Sequence, residues 1–327
     1  MADVKILATG GTIAGVANSA TATTGYKSGA LGIDALINAV PQVSDYTNVT
    51  GEQICSIDSK DITDEIWLKL AARINELLAG DVDGIVVTHG TDTLEETAYF
   101  LNLTVHGDKP VVLTGAMRPA TAISSDGAIN LLNAVRIAAN PASIGKGVLV
   151  ALNDEINSAR EVTKTNTLTV DTFKGRELGL LGFVNAGMPE FYRTSTRRHT
   201  INSEFDITGR KNLPRVKIIY GHAGDDGLFV DAAIAAGVAG IICAGTGNGS
   251  IHAETEKALA RATAAGIVVV RSSRCGSGSV IPAEKSYRDK NFLDGDNLSP
   301  QKARILLQLA LTKTNDLSEI QRMFKQY

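Results

Sequence analysis

The feature that most constrains this chain is an alternation. Short, near-continuous runs of Val, Ile and Leu recur at residues 4–8, 84–88, 110–114, 147–152, 216–220, 240–244 and 267–271. Segments with helical spacing lie between them, at 64–79, 94–104, 127–139, 228–236 and 253–265. An unbroken aliphatic run has no polar face to turn to water, so it suits a strand covered on both sides, as in a parallel sheet. Segment 64–79 sets Ile66, Leu70, Ile74 and Leu77 on one face. It opens with Asp64 and Glu65, whose charges favour a helix N-terminus. Such alternation predicts an α/β architecture with right-handed crossovers. Two further helical stretches, 300–312 and 317–324, close the chain, and Pro300 fits a first turn, where its missing N–H costs nothing.

The stretch 191–212 is polar, basic and poor in aliphatic residues, and it reads as a linker between domains at 1–190 and 213–327. The expected fold is a larger N-terminal domain, with a mixed or parallel sheet flanked by helices, and a smaller C-terminal, Rossmann-like domain with a parallel sheet. The basic run 193–198 reads as a solvated linker face rather than a phosphate site. Lys and Arg number 32 against 35 Asp and Glu, a net charge of −3 without blocks of one sign. That excludes a nucleic-acid footprint and favours a small-molecule partner. No apolar stretch reaches the ~20 residues a membrane helix needs, and no basic-then-apolar signal segment opens the sequence. Cys55, Cys243 and Cys275 lack CxxC spacing, which argues against a zinc site or a disulfide framework. The five histidines are scattered, with His89 read as structural, and there is no HExxH or GxxxxGK[ST] motif. Neither metal nor cofactor is expected.

Three Gly/Thr-rich segments follow expected strands: ATGGTIAG at 8–15, THGTDTLEET at 88–97 and AGTGNGS at 244–250. Ligands of open parallel sheets bind outside the carboxyl ends of strands, and glycine lets backbone approach them closely. Each segment alone reads equally as a strand-to-helix turn. What remains is hydroxyl chemistry. A Thr hydroxyl needs a base or a cation beside it to act as a nucleophile. Lys164 is a candidate base if burial favours its neutral form; alone, it reads as a surface lysine. Tyr26 sits among Gly25, Gly29 and Gly32 in a segment suited to a lid; alone, it reads as a packed aromatic. A non-catalytic amino-acid or nucleotide binder, using the Gly-rich turns as anion nests, is the alternative.

Taken together, TGGTIAG at 9–15, HGTDTLEET at 89–97, GAMRPATAISSDG at 115–127, VTKTNT at 162–167, AGTGNGS at 244–250, RSSR at 271–274 and LSPQKARILLQLALT at 298–312 resemble the bacterial type II L-asparaginase (asparaginase–glutaminase) family. The resemblance covers essentially the whole chain. It implies a two-domain α/β homotetramer, a dimer of intimate dimers, that hydrolyses L-asparagine to L-aspartate and ammonia without cofactor, often with L-glutamine as a second substrate. It implies a periplasmic location, with a cytoplasmic one left open because the sequence carries no export signal. Thr12 is implied as the nucleophile that forms an acyl-enzyme, and Tyr26 as its lid partner. Thr91 and Lys164 are implied as a second hydroxyl–amine pair, with Asp92 beside them; the division of labour between the two threonines stays open. For the substrate, Asp92 is implied at the α-ammonium, Ser59 at the α-carboxylate and the Ala116 carbonyl at the leaving amide. Asn248 and Glu284 are implied as contributions from the neighbouring subunit. Backbone N–H groups at Gly11–Thr12 and Gly90–Thr91 suit a developing oxyanion.

One departure stands out. Where the family has Gln or Glu after the serine, this chain has Lys60. A second cation 4 Å from the substrate ammonium repels it by ~4 kcal/mol at an effective dielectric near 20. The expectation is that Lys60 turns outward and substrate binding is weakened.

Overall fold

The first aliphatic run becomes β1 (Ala2–Gly10). It is followed by α1 (Ile33–Asn38), β2 (Thr47–Ile57), α2 (Asp64–Leu78), β3 (Gly84–Thr88), α3 (Leu94–Thr104), β4 (Val111–Thr114), α4 (Gly127–Ala138) and β5 (Val148–Leu152). Shorter strands come next: β6 (Glu155–Ser158), β7 (Val162–Lys164), β8 (Phe173–Gly175), β9 (Gly182–Asn185) and β10 (Met188–Phe191). The computed structural model describes residues 1–282 and 284–327, and contacts within it separate a first unit, 1–209, from a second, 210–327.

Among the described residues, the main sheet of the first unit has the order β10-β9-β6-β5-β4-β3-β1-β2. The pairs β1–β2, β1–β3, β3–β4 and β4–β5 are parallel, and β5–β6, β6–β9 and β9–β10 are antiparallel, so the sheet is mixed. β7 and β8 form a separate antiparallel ribbon. The chain goes from β1 to β2 on one side and returns to β3 on the other. That reversal opens a crevice at the carboxyl ends of β1 and β3, where ligands of such sheets bind.

The parallel strands are buried as their aliphatic runs require. Val4 and Ile6 of β1, Val86 of β3, Val112 of β4 and Leu149 of β5 pack with Leu131, Ala134 and Val135 of α4. Each such side chain contributes about 1.5–3 kcal/mol when fully buried. Leu70 and Ile74 of α2 are fully buried, and the Trp67 and Phe100 rings of α2 and α3 stack at 5.1 Å. The acidic opening of α2 is completed by a cap, since the Thr63 hydroxyl accepts the Ile66 N–H at 3.3 Å.

The second unit contains β11 (Val216–Tyr220), α5 (Leu228–Ala235), β12 (Gly240–Gly245), α6 (Ala253–Ala264), β13 (Val268–Ser273), α7 (Lys285–Asp289), β14 (Leu293–Asp294), α8 (Pro300–Ala310) and α9 (Leu317–Gln326). Its strands run β11-β12-β13-β14, each pair parallel. Ile241 and Val269 pack there against Val230, Ala258, Leu259 and Tyr287. Pro300 occupies the first turn of α8. Among the described residues no helix is long and apolar enough to cross a membrane.

Candidate active site

Three strand ends converge at the crevice of the first unit. β1 runs into Gly11–Thr12, β3 into His89–Gly90–Thr91–Asp92, and β4 into Gly115–Ala116. Gly11 has φ 80°, and a Cβ there would lie 2.3 Å from Gly90 Cα; a Cβ on Gly90 would lie 2.7 Å from Ser59 Oγ. Glycine at these two positions is what lets three separate segments meet backbone to backbone. Thr12, Ser59, Gly90 and Thr91 are thereby gathered at one place.

Thr12 is buried, and its Oγ1 lies 2.6 Å from the Tyr26 hydroxyl. Tyr26 is half-buried and arrives on an excursion closed at its base by the Val16–Lys27 bridge, with both N–H···O bonds at 3.0 Å. Ile123 N–H donates to Ala20 O at 2.8 Å, and Ala17 N–H to Thr121 Oγ1 at 2.9 Å. Burial pushes the Tyr26 phenol up; the Thr12 hydrogen bond pulls it down, and the carboxylates of Asp58 and Asp92 push it up further.

Thr91 is organised differently. Its Oγ1 accepts from Lys164 Nζ at 3.0 Å, and the same Nζ lies 2.6 Å from Asp92 Oδ1. Lys164 belongs to β7, which a buried carboxylate pins in place. Glu95 Oε2, on α3, accepts both the Lys164 N–H and the Thr163 hydroxyl at 2.6 Å. Sequence reasoning missed Glu95. The sequence offered no signal for it: Glu95 sits beside Glu96 in an acidic first turn, as a solvated helix start would. Ser59 Oγ accepts the Asp92 N–H at 3.2 Å, and its carbonyl accepts from Thr93 Oγ1 at 2.7 Å. The Ser59 hydroxyl therefore keeps its own proton to donate.

His89 is fully buried. Its Nδ1 lies 2.7 Å from Gly90 O, and its Nε2 2.9 Å from Thr97 Oγ1, which also accepts from Trp67 Nε1 at 2.8 Å. A carbonyl only accepts, so Nδ1 carries the ring hydrogen and Nε2 takes the Thr97 proton. Burial pushes His89 down to about 4, so the relay is neutral. It ties down the Gly90 carbonyl, and with it the planar peptide that aims the Thr91 N–H. Ala116 is buried in a loop held by Asp126, whose carboxylate accepts the N–H groups of Met117 and Arg118 at 2.9–3.1 Å.

Lys60 points outward: its side chain is 62% exposed, with Nζ 2.6 Å from Asp61 and 3.8 Å from Asp58. The Asp61 hydrogen bond raises its pKa, opposed by slight desolvation, and the charges of Asp61, Asp58 and Asp92 raise it further. Asn248 and Glu284 belong to the second unit. Asn248 Oδ1 accepts the Ile281 N–H at 2.9 Å, and Glu284 immediately precedes α7. The three cysteines are free, and burial pushes the Cys243 thiol up to about 12. Among the described residues no cluster of three or more His, Cys, Asp or Glu could hold a metal ion.

A crevice at a winding reversal, with two threonine hydroxyls each bonded to a proton-carrying side chain, defines a site of the nucleophilic-hydroxyl class. Residues 3–197 match the family model described as asparaginase, N-terminal, and residues 215–324 that of the glutaminase/asparaginase C-terminal domain. The chain is 55% identical over 326 residues to L-asparaginase 2 of Bacillus subtilis, covering 99% of this chain and 86% of that one. It is 47% identical over 330 residues to a glutaminase-asparaginase of Pseudomonas fluorescens, covering 100% and 91%. Among solved structures, a probable cytoplasmic L-asparaginase from Campylobacter jejuni matches with a TM-score of 0.98 at 48% identity, covering all of both chains. This chain belongs to the asparaginase family.

Proposed function

We propose that this protein hydrolyses L-asparagine to L-aspartate and ammonia, with L-glutamine as a second substrate. The observation that carries the reading is the Thr12–Tyr26 hydrogen bond beside the Lys164–Thr91–Asp92 cluster, in a chain of this family. Thr12 Oγ1 attacks the side-chain amide carbon. Its proton passes along the bond to Tyr26 and ends on the departing nitrogen, which leaves as ammonia. The N–H groups of Thr12 and of Gly90–Thr91 face the oxyanion that forms; the Gly11 N–H, expected from the sequence to join them, is instead spent on the Ile57 carbonyl at 2.9 Å. Water then cleaves the ester on Thr12, positioned by Thr91 and Lys164, and returns a proton to Thr12. The Ala116 carbonyl receives the leaving amide.

The raised Tyr26 phenol gives the substrate a second role. Burial first, and then the charges of Asp58 and Asp92, favour the neutral phenol. An α-ammonium docked at Asp92 offsets that negative field, so the Tyr26 phenol ionises more readily when substrate is present, and the phenolate takes the Thr12 proton. Ser59 donates to the α-carboxylate. In a homotetramer built as a dimer of intimate dimers, a neighbouring subunit contributes Asn248 and Glu284, with Glu284 reaching the α-ammonium and Tyr26. Asparagine and glutamine differ by one methylene, worth only ~1–3 kcal/mol, so both fit the reading. The resemblance supports a periplasmic location, against the cytoplasmic name of the Campylobacter relative, and fractionation of the source cells decides between them.

The test is ammonia release from both amides by wild type and Thr12→Ala. Turnover that disappears in the variant supports the reading. Turnover that survives moves the nucleophile elsewhere, and a wild type that binds either amide calorimetrically without releasing ammonia is a binding protein.

A further inference from the structure

The second unit contains a buried guanidinium that the reaction does not use. Arg271, in β13, is 1% exposed, and its register partner on β14 is Asp294. Nε and Nη2 donate to Asp294 Oδ1 at 3.1 and 2.5 Å. The ion pair alone would satisfy the charge, but the rest of the fork reaches further. Nη1 donates to Asn248 O and Gly249 O at 3.3 and 3.4 Å, and Nη2 also donates to Ile281 O at 2.9 Å. The guanidinium lies 4.5 Å over the Tyr287 ring, and the Tyr287 hydroxyl accepts the Ile251 N–H at 3.1 Å. One side chain thus holds the loop that carries Asn248, the segment at Ile281 that leads toward Glu284, and the ring of the helix that follows Glu284.

We propose that Arg271 is a positioning residue: it locks the Asn248 loop and the Ile281 segment into one arrangement, so that Asn248 holds the segment from which Glu284 meets the substrate α-ammonium. The proposal rests on the reading that those two residues complete a neighbouring subunit's site. Its physical basis is the planar fork. A buried ion pair contributes little net stability over apolar packing, whereas five donors in fixed geometry can bind one carboxylate and three carbonyls at once, which an ammonium cannot match. Asn248 reinforces the link, its Oδ1 accepting the Ile281 N–H.

The experiment compares wild type with Arg271→Lys, which keeps the charge and loses the fork. Two readouts are taken: amide exchange at residues 247–251 and 280–281, and kinetics with L-asparagine beside competition by succinamate, which lacks the α-amino group. The expected result is faster exchange in both segments, a KM for L-asparagine raised about ten- to a hundredfold, and unchanged competition by succinamate. Unchanged exchange, or equal losses for both compounds, overturns the proposal and leaves Arg271 a residue of the sheet alone. If Arg271→Lys does not fold, Arg271→Met combined with Asp294→Leu removes both charges together and is read in the same way. Asn248→Ala and Glu284→Gln separate the two claims. If neither moves the KM for L-asparagine while exchange in Arg271→Lys is still faster, the recognition role of those residues fails, and the proposal falls with it although the loop anchor is real. If they raise that KM and Arg271→Lys does not, the proposal alone falls.

Discussion

Thr12 and Thr91 stand on neighbouring strand ends, each with a proton-carrying partner at 2.6 or 3.0 Å, yet the two pairs are built in opposite ways. Tyr26 reaches Thr12 from an excursion tied down outside the core, by the Val16–Lys27 bridge and by the bonds of Ala17 to Thr121 and of Ile123 to Ala20. Lys164 reaches Thr91 from a ribbon pinned by buried Glu95, and the turn before Thr91 is tied through His89 and Thr97 to Trp67. The first pair can open without disturbing the core, and the second cannot. A hydroxyl that must admit substrate and be covered again needs a movable partner, whereas one that orients water needs a partner that stays.

Substitutions can break that comparison. The largest effect is expected from Lys164→Met: kcat for L-asparagine should fall about 10²–10⁴-fold, and a loss under tenfold would remove the fixed pair from the chemistry. Tyr26→Phe deletes only the hydroxyl of the movable pair and should cost about 10²-fold in kcat, with the melting temperature unchanged because the excursion lies outside the core. Glu95→Ala should instead lower stability in urea unfolding by roughly 2–4 kcal/mol, since it leaves the Lys164 N–H and the Thr163 hydroxyl unpaired. Equal stability losses in Tyr26→Phe and Glu95→Ala would erase the distinction.

His89 sharpens the comparison through pH. The folded chain keeps it neutral down to about 4, whereas the unfolded chain protonates it near 6.5. Between those values the unfolded chain binds more protons. The stability contribution is therefore complete above about 6.5 and is lost as pH falls toward 4, by about 3 kcal/mol in all. Urea melts of wild type and His89→Gln between pH 7 and 4.5 measure it; a variant with the wild-type slope refutes the assignment. The smallest effect is at Lys60. Lys60→Gln should lower the KM for L-asparagine by about two- to fivefold, the size of a screened surface charge effect, and a KM that does not fall means that Lys60 does not weaken binding.

What the sequence made legible follows from burial. β1, β3, β4, β5, β12 and β13 are covered on both faces, so their aliphatic runs stand out; β11 is an edge strand with Lys217, Ile218 and Tyr220 exposed, and its run VKIIY was legible all the same. β2, at 11 residues, escaped notice because it is an edge strand paired only with β1, and its sequence TNVTGEQICSI mixes polar and apolar positions. The short antiparallel strands β6, β9 and β10 carry no long run either. Thr12 and Thr91 were legible as hydroxyls in Gly-rich turns after strands. Their pairing with Tyr26 and Lys164 was not, since Lys164 is 73 residues from Thr91 and only the resemblance joined them. Glu95 was hidden because helical spacing says nothing about a ribbon that packs from elsewhere in the chain.

Trp67 is the only tryptophan in the chain. Its indole stacks on Phe100 and is linked by three successive hydrogen bonds, through Thr97 and His89, to the Gly90 carbonyl. The molecule therefore carries an intrinsic fluorophore wired to the rigid wall of its crevice. Emission from that indole is expected to respond to occupancy beside Thr91 without any added label, and to do so from the side built around Glu95 and His89.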